Sequence, residues 1–316
     1  MPTRRERRAW PADRSATMAI LVNEKTKAII QGITGESGIR FVTRMQEFGS
    51  PPVAGVTPGK GGQDVQGVPV YDTVAELVRD HRVDWSSINV PAAFVKDAVY
   101  EAIDAGIKNV FIYAERVPIH DEMEMMAYAE RLGVTIVGPN TPGIVSPGKF
   151  RLGGLGGARD YVSEIFTPGP VGLVSRSGGM TSTIAYYLSR SGLGQTTGFG
   201  CGGDAIIGTP FKKALKLFEK DPETKAMVMF GEIGTSYEEE AAQFIKSGGC
   251  TKPVVAFVAG KNALPGFRFG HAGALVMKGR GTYEGKIAAL AAAGVRIAYT
   301  LRDIPRMVKE ALEMPQ

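Results

Sequence analysis

Lys27-Ala28-Ile29-Ile30-Gln31-Gly32-Ile33-Thr34-Gly35-Glu36-Ser37-Gly38-Ile39-Arg40-Phe41 is the stretch that decides the fold. An apolar run with the character of a buried strand ends in a glycine-punctuated turn, and the turn opens straight into a helical pattern. Glycine lets the backbone turn tightly, and the N–H groups of a helix N-terminus then face an anion with the helix dipole behind them. The spacing is G-x-x-G-x-x-G, not the dinucleotide pattern G-x-G-x-x-G. A tight strand-to-helix turn with no ligand would read the same way.

Outward from this unit the alternation repeats. Apolar, β-branched runs at 27–30, 53–56, 86–90, 110–113 and 135–137 predict buried parallel strands, with helices over 38–48, 73–80, 95–105 and 121–132. A Gly/Pro-rich stretch at 139–157 breaks the pattern and is expected to be an extended linker. A second series follows, with strands at 171–174, 226–230, 254–258 and 296–298. Its helices are expected over 181–189, 211–218, 238–246, 283–292 and 304–312. The fold class is therefore α/β with two doubly wound domains, expected at 18–148 and 169–316 around a linker at 149–168.

Composition removes several classes of function. The 316 residues carry a net charge of +5. Residues 1–17 hold Arg4, Arg5, Arg7, Arg8 and Arg14 against Glu6 and Asp13. Taking these from the chain's 37 basic and 32 acidic residues leaves 32 and 30, so the body is nearly neutral and no nucleic-acid partner is expected. The tail reads as a disordered extension, or as translation begun upstream of a start at Met18. No apolar run reaches the roughly 18 residues of a membrane span. Cys201 and Cys250 are the only cysteines. They fit a reducing, cytoplasmic compartment and buried packing, and no metal site is expected.

The end of the second strand narrows the ligand. A nicotinamide dinucleotide needs an acid there for its ribose, whereas the sequence supplies Thr57-Pro58-Gly59-Lys60-Gly61-Gly62. A lysine on a glycine turn suits a phosphate, and G-x-x-x-x-G-K-[ST] is absent. A phosphorylated adenosine ligand such as CoA fits better than NAD.

Of the three histidines, His81 and His120 lie among charged residues and read as surface groups. His271 sits in Gly270-His271-Ala272-Gly273-Ala274, where small neighbours leave the imidazole open to a bulky reactant. A structural loop histidine is the alternative. The strand at 226–230 runs into Gly231-Glu232-Ile233-Gly234, which places a carboxylate at the ligand edge. Such a carboxylate can fix the imidazole tautomer. Two further glycine turns, Ser175-Arg176-Ser177-Gly178-Gly179-Met180 and Gly202-Gly203-Asp204-Ala205-Ile206-Ile207-Gly208, can offer N–H groups to a phosphate.

From Lys25 onward the chain resembles the α subunit of succinyl-CoA synthetase. The residues that carry the likeness are Gly55-Val56-Thr57-Pro58-Gly59-Lys60-Gly61-Gly62, the run EAIDAGIK at 101–108, Gly138-Pro139-Asn140, Gly231-Glu232-Ile233-Gly234 and Gly270-His271-Ala272-Gly273-Ala274. The resemblance implies a Rossmann-like CoA-binding domain followed by a flavodoxin-like ligase domain. It implies CoA at Thr34, Gly35, Glu36, Ser37, Lys60, Tyr113, Ala114 and Glu115, and a phosphate at Ser177, Gly178 and Gly179. By the same likeness His271 is phosphorylated and Glu232 orients it. ATP or GTP with Mg2+ is bound by a partner, an ATP-grasp β subunit, and a small carboxylic acid becomes a CoA ester through an acyl phosphate.

Three positions depart from that pattern. Gly179-Met180-Thr181-Ser182 replaces Thr-Leu-Thr-Tyr, which predicts a roomier and more polar acid pocket. Thr141 replaces a cysteine, and Arg116 a glycine. Phe150-Arg151-Leu152-Gly153, the run VSRSGGM at 174–180 and Phe269 look more like ATP-citrate lyase or citryl-CoA synthetase. Citrate and malate thus stand beside succinate as the acid. A non-enzymatic CoA-binding protein is the alternative of a different class.

Overall fold

The computed structural model describes residues 19–263, 270–276 and 281–314. The tail at 1–17 and Phe269 lie outside the described residues. The first unit runs β1 (Ala28–Gln31), α1 (Glu36–Phe48), β2 (Ala54–Val56), β3 (Asp64–Val65), β4 (Val68–Tyr71), α2 (Val74–Asp80), β5 (Trp85–Ile88), α3 (Val95–Asp104), β6 (Asn109–Ile112), α4 (Ile119–Arg131) and β7 (Thr135–Val137). Among the described residues its sheet has the order β3-β4-β2-β1-β5-β6-β7, parallel except for the β3–β4 hairpin. Every residue of β1, β2 and β5 is buried, as in a sheet covered by helices on both faces. The chain leaves β1 to one side and returns at β5 to the other. The crevice between these two strands is the topological switch point where such folds bind ligands.

The second unit continues with β8 (Gly143–Ser146), β9 (Phe150–Gly153), α5 (Arg159–Ile165), β10 (Pro168–Ser175), α6 (Gly178–Arg190), β11 (Gln195–Gly200), α7 (Phe211–Lys220), β12 (Ala226–Glu232), α8 (Tyr237–Lys246), β13 (Val254–Ala259), α9 (Tyr283–Ala292), β14 (Arg296–Ile297) and α10 (Asp303–Glu313). The order β14-β13-β12-β10-β11-β8-β9 is a flavodoxin-like parallel sheet with an antiparallel hairpin on its edge. Its switch point lies between β10 and β12. Two α/β units, one Rossmann-like and one flavodoxin-like, thus account for the described chain.

The stretch at 139–157 is not the extended linker expected from its glycines and prolines. It holds the β8–β9 hairpin, and β8 pairs antiparallel with β11 although it precedes residue 149. The strands are four residues long and their ends, Gly143 and Gly153, stand opposite each other, so no apolar periodicity develops. The hairpin joins the second sheet while packing on α1 of the first unit. Ser50 Oγ donates to the Arg151 carbonyl at 3.0 Å, and a Cβ on Gly154, next after β9, would lie 3.2 Å from Phe41 of α1. β11 also escapes a sequence reading, because Gln-Thr-Thr-Gly-Phe-Gly offers no apolar run although all six residues are buried.

Candidate functional site

At the first switch point the turn after β1 leads into α1, whose N-cap is Gly35 with no side chain capping the helix. Gly32 holds φ +81°, and a Cβ there would lie 2.7 Å from the Asn89 carbonyl oxygen. A Cβ on Gly38 would strike the backbone of Gly32 and Ile33, so this glycine is what allows the helix to start against the strand. Thr34 hydrogen-bonds Thr57 through its hydroxyl at 3.2 Å, which ties the turn to the end of β2. Gly35, Glu36 and Lys60 are exposed, while Thr34 and Ser37 are half-buried. Beside them opens a groove of about 470 Å³ lined by Gln31, Gly32, Val56, Val90, Phe94 and Glu101. Glu101 anchors its floor, accepting from Gln31 Nε2 at 2.9 Å and from the Val74 N–H at 2.8 Å. After β6, Tyr113 and Ala114 are half-buried and Glu115 is exposed. Arg116 takes φ +58°, left-handed backbone that a glycine adopts without strain.

The second switch point is built from charges turned inward. Glu232 is the last residue of β12, and His271 Nδ1 lies 2.8 and 3.0 Å from its two carboxylate oxygens. Arg176, wholly buried between β10 and α6, donates through Nε to Glu232 Oε1 at 3.1 Å. Its Nη2 reaches the carbonyls of Gly203 and Asp204, and its guanidinium lies 5.4 Å from the Tyr237 ring centroid. A carboxylate only accepts, so the ring proton of a neutral His271 belongs on Nδ1 and the Nε2 lone pair is free. The imidazole is about a quarter exposed. The next residue after Arg176 is Ser177, the N-cap of α6, whose side chain accepts from the Met180 N–H. Gly178 packs on Pro142, whereas a Cβ on Gly179 would meet nothing within 4 Å. The His271–Glu232 pair and the N-terminus of α6 are therefore joined through one buried arginine.

The loop at 202–208 links the two crevices. The Asn140 N–H donates to the Ala114 carbonyl, and the Asn140 carbonyl accepts from the Gly203 N–H. A Cβ on Gly203 would lie 2.7 Å from the His271 ring. Asp204 is buried and accepts from the Val117 N–H and from Asn140 Nδ2, each at 3.2 Å. Glu122 of α4 accepts from the Ile206 N–H at 3.1 Å. Burial and the neighbouring Asp204 push its carboxyl up to about 8. Residues expected at the CoA site and the histidine are thus separated by a short chain of backbone contacts.

Other expectations resolve plainly. Cys201 and Cys250 are buried, and burial pushes both thiols up to about 12, far from a nucleophile's range. His120 is exposed, but His81 is half-buried with Nε2 3.1 Å from the Tyr71 hydroxyl, so it is not the open surface group expected. Ser182, where the resemblance has tyrosine, lines a groove with Tyr161, Glu164 and Tyr186 between α5 and α6. Arg176, Asp204, Glu238 and Lys286 were not singled out as site residues. The arginine between two serines at a strand end was the available signal, and only its burial shows what it does. Among the described residues no group of three or more His, Cys, Asp or Glu can hold a metal, and no helix is long and apolar enough to cross a membrane.

Fold and site together define a two-domain CoA-ligase chain. Residues 23–116 match the CoA-binding domain family and residues 174–296 the CoA-ligase family. The chain is 52% identical over 295 residues to succinate–CoA ligase [ADP-forming] subunit alpha 2 of Archaeoglobus fulgidus, covering 93% of this chain and 100% of that one. It is 40% identical to the ADP-forming sulfoacetate-CoA ligase subunit SauD of Bilophila wadsworthia, with coverage of 93% and 100%. The ATP citrate lyase of Methanothrix soehngenii, solved in complex with citrate and coenzyme A, superposes with a TM-score of 0.86 at 28% identity. That match covers 93% of this chain and 51% of the lyase chain, so the chain spans about half the lyase's length. The chain belongs to the succinate–CoA ligase α-subunit family. It is a ligase subunit with a CoA-binding domain.

Proposed function

We propose that this chain is the phosphohistidine-bearing subunit of a cytoplasmic, ADP-forming succinate–CoA ligase, and that His271, Glu232 and the start of α6 carry its chemistry. The observation behind this reading is the 2.8 Å contact between His271 Nδ1 and Glu232 at the carboxyl end of the second sheet. The close α-subunit relatives supply the acid and the nucleotide.

In this reading an ATP-grasp β subunit brings ATP and Mg2+ to the open side of the imidazole. His271 Nε2 attacks the γ-phosphorus, its bond to phosphorus forms as the bond to the ADP oxygen breaks, and the ring keeps its Nδ1 proton, donated to the Glu232 carboxylate. Ser177, Gly178 and Gly179 present the positive end of α6 to the phosphoryl oxygens. A succinate carboxylate oxygen then takes the phosphoryl group, which returns the histidine and yields succinyl phosphate. The CoA thiolate attacks the acyl carbon and inorganic phosphate leaves.

CoA is a substrate here, and the first crevice fits its polyanionic end. The α1 N-terminus at Thr34, Gly35, Glu36 and Ser37 is free of a side-chain cap, and Lys60, on the turn after β2, is exposed. Tyr113, Ala114 and Glu115 border the path toward His271, since Ala114 is hydrogen-bonded to Asn140 and Asn140 to Gly203.

Citrate is the one rival acid with an observation in its favour. Gly179 stands in open space, so packing does not demand a glycine there, and the lyase that superposes on the chain holds citrate. The test is CoA-ester formation by the co-expressed α and β subunits with succinate, citrate and malate supplied separately. Succinyl-CoA as the main product is expected. Citryl-CoA as the main product would overturn the choice of acid, and no ester at all would overturn the ligase reading.

A further inference from the structure

Lys286 of α9 is wholly buried, one turn from the N-cap Thr282, and it is not accounted for by the steps above. An ammonium has three N–H donors, and a buried one is costly unless all are met. Here they are met. Nζ contacts Glu238 Oε2, donates to Glu239 Oε2 at 2.9 Å, and donates to the Thr235 carbonyl at 3.1 Å. Glu238 is 1% exposed, and its other oxygen accepts from the backbone N–H of Glu232 at 2.9 Å. One carboxylate thus spans from the lysine to the residue that holds His271.

The turn between them has little freedom to hold itself. Gly234 and Thr235 take φ +82° and +49°, so two residues after Glu232 the chain passes through left-handed backbone, once at a non-glycine residue. The same turn seats the histidine's own loop, because a Cβ on Gly234 would collide with Gly273 and Leu275. The Gly234 N–H is bonded to the Gly281 carbonyl at 2.8 Å, just before α9 begins. Lys286 therefore fixes, from beneath, both the backbone of Glu232 and the turn against which the His271 loop rests.

We propose that Lys286, acting through Glu238, is a positioning residue for histidine phosphorylation: the buried pair sets the place of the Glu232 carboxylate and hence the direction of His271 Nε2. This rests on the phosphohistidine reading, but it concerns a residue that touches neither phosphate nor acid. Misplacing a reacting group by about 1 Å costs on the order of 10²-fold in rate. Glu239 is a third exposed and, among the described residues, bonds only Lys286, so it contributes less.

Three variants of the full chain, co-expressed with the β subunit, test it: Lys286→Met, Glu238→Gln and Glu239→Gln. Each is read by kcat and KM for ester formation, by the rate of histidine phosphorylation, and by the low-field Nδ1 proton resonance of His271. Expected losses in phosphorylation rate are about 10²-fold for Lys286→Met, about tenfold for Glu238→Gln, which keeps an oxygen for the Glu232 N–H, and under about twofold for Glu239→Gln. KM for CoA should stay within about twofold of wild type, and the Nδ1 resonance should weaken in the same order. A folded Lys286→Met enzyme with an unchanged Nδ1 resonance and phosphorylation rate would overturn the proposal. If Lys286→Met does not fold, Glu238→Gln carries the test, and wild-type behaviour in it overturns the proposal equally. Absence of phosphohistidine in the wild-type enzyme would sink the ligase reading instead, while the Nδ1 resonance would still report on Lys286.

Discussion

At the crevice between β1 and β5 the charged side chains of Glu36 and Lys60 are exposed, whereas at the crevice between β10 and β12 Arg176 and Glu232 are buried and paired. Both crevices arise from the same topology, a parallel sheet whose chain order reverses. The first offers an uncapped helix start, exposed Lys60 and Glu36, and glycines that leave room. The second holds Arg176, Glu232, Glu238 and Lys286 with little or no contact with water. In the proposed reading a ligand that must come and go is met by backbone and an exposed cation, which cost little to desolvate. A group that must be aimed is met by charges fixed in advance, because preorganised dipoles need no rearrangement when charge moves. The difference teaches that fold supplies the place, and the burial of charge supplies the chemistry.

That contrast predicts opposite mutational signatures. The largest effect is expected at the second crevice: His271→Ala should lower ester formation by more than about 10³-fold. The dissociation constant for CoA should remain within about twofold, measured by calorimetry. Glu232→Gln comes next. A neutral amide can present its NH2 to Nδ1 and favour the wrong tautomer, so kcat should fall about 10²-fold with KM for CoA unchanged. A comparable change in KM would mean that the two crevices are not separable.

At the first crevice, Lys60→Glu should do the reverse. Charge reversal beside a phosphate is worth about 1.4 kcal/mol or more, so KM for CoA should rise about tenfold while kcat holds within about twofold. An unchanged KM would remove Lys60 from the CoA site.

The smallest effect lies at the seam, where Glu122 of the first unit meets the loop of Asp204. Its folded-state carboxyl stands at about 8 against an ordinary 4.5, so its contribution is fully present below about 4.5 and is lost as pH rises through about 8. Glu122→Gln is neutral at every pH. Its stability relative to wild type should climb across that window and level off above it, by urea unfolding at stepped pH. A flat difference would mean that the carboxyl is ionised throughout.

Much of this was legible in the sequence because both sheets are parallel and buried. The runs at 254–258 and 226–230 read as strands, which the structure extends to Ala259 and Glu232, and the glycine turns after β1 and before α6 mark the crevices. That His271 and Glu232 meet was legible, because small residues leave the histidine open and the carboxylate stands at a strand end. The β8–β9 hairpin was not legible, since its four-residue strands are bounded by glycine and one of its buried side chains is Arg151. Nor was the inward pairing of charges. Arg176, Glu238 and Lys286 look like any surface residues in a string of letters, and only tertiary packing shows that each has lost its water. Lys286 in particular lies in Thr282-Tyr283-Glu284-Gly285-Lys286, an ordinary helix start.

The most direct test is to incubate the co-expressed α and β subunits with γ-labelled ATP, without acid or CoA, and to map the label by mass spectrometry. An acid-labile, base-stable phosphoryl group on His271, discharged by adding acid and CoA together, is the predicted result. A label on another residue, or none on an enzyme that still forms the CoA ester, would contradict the account.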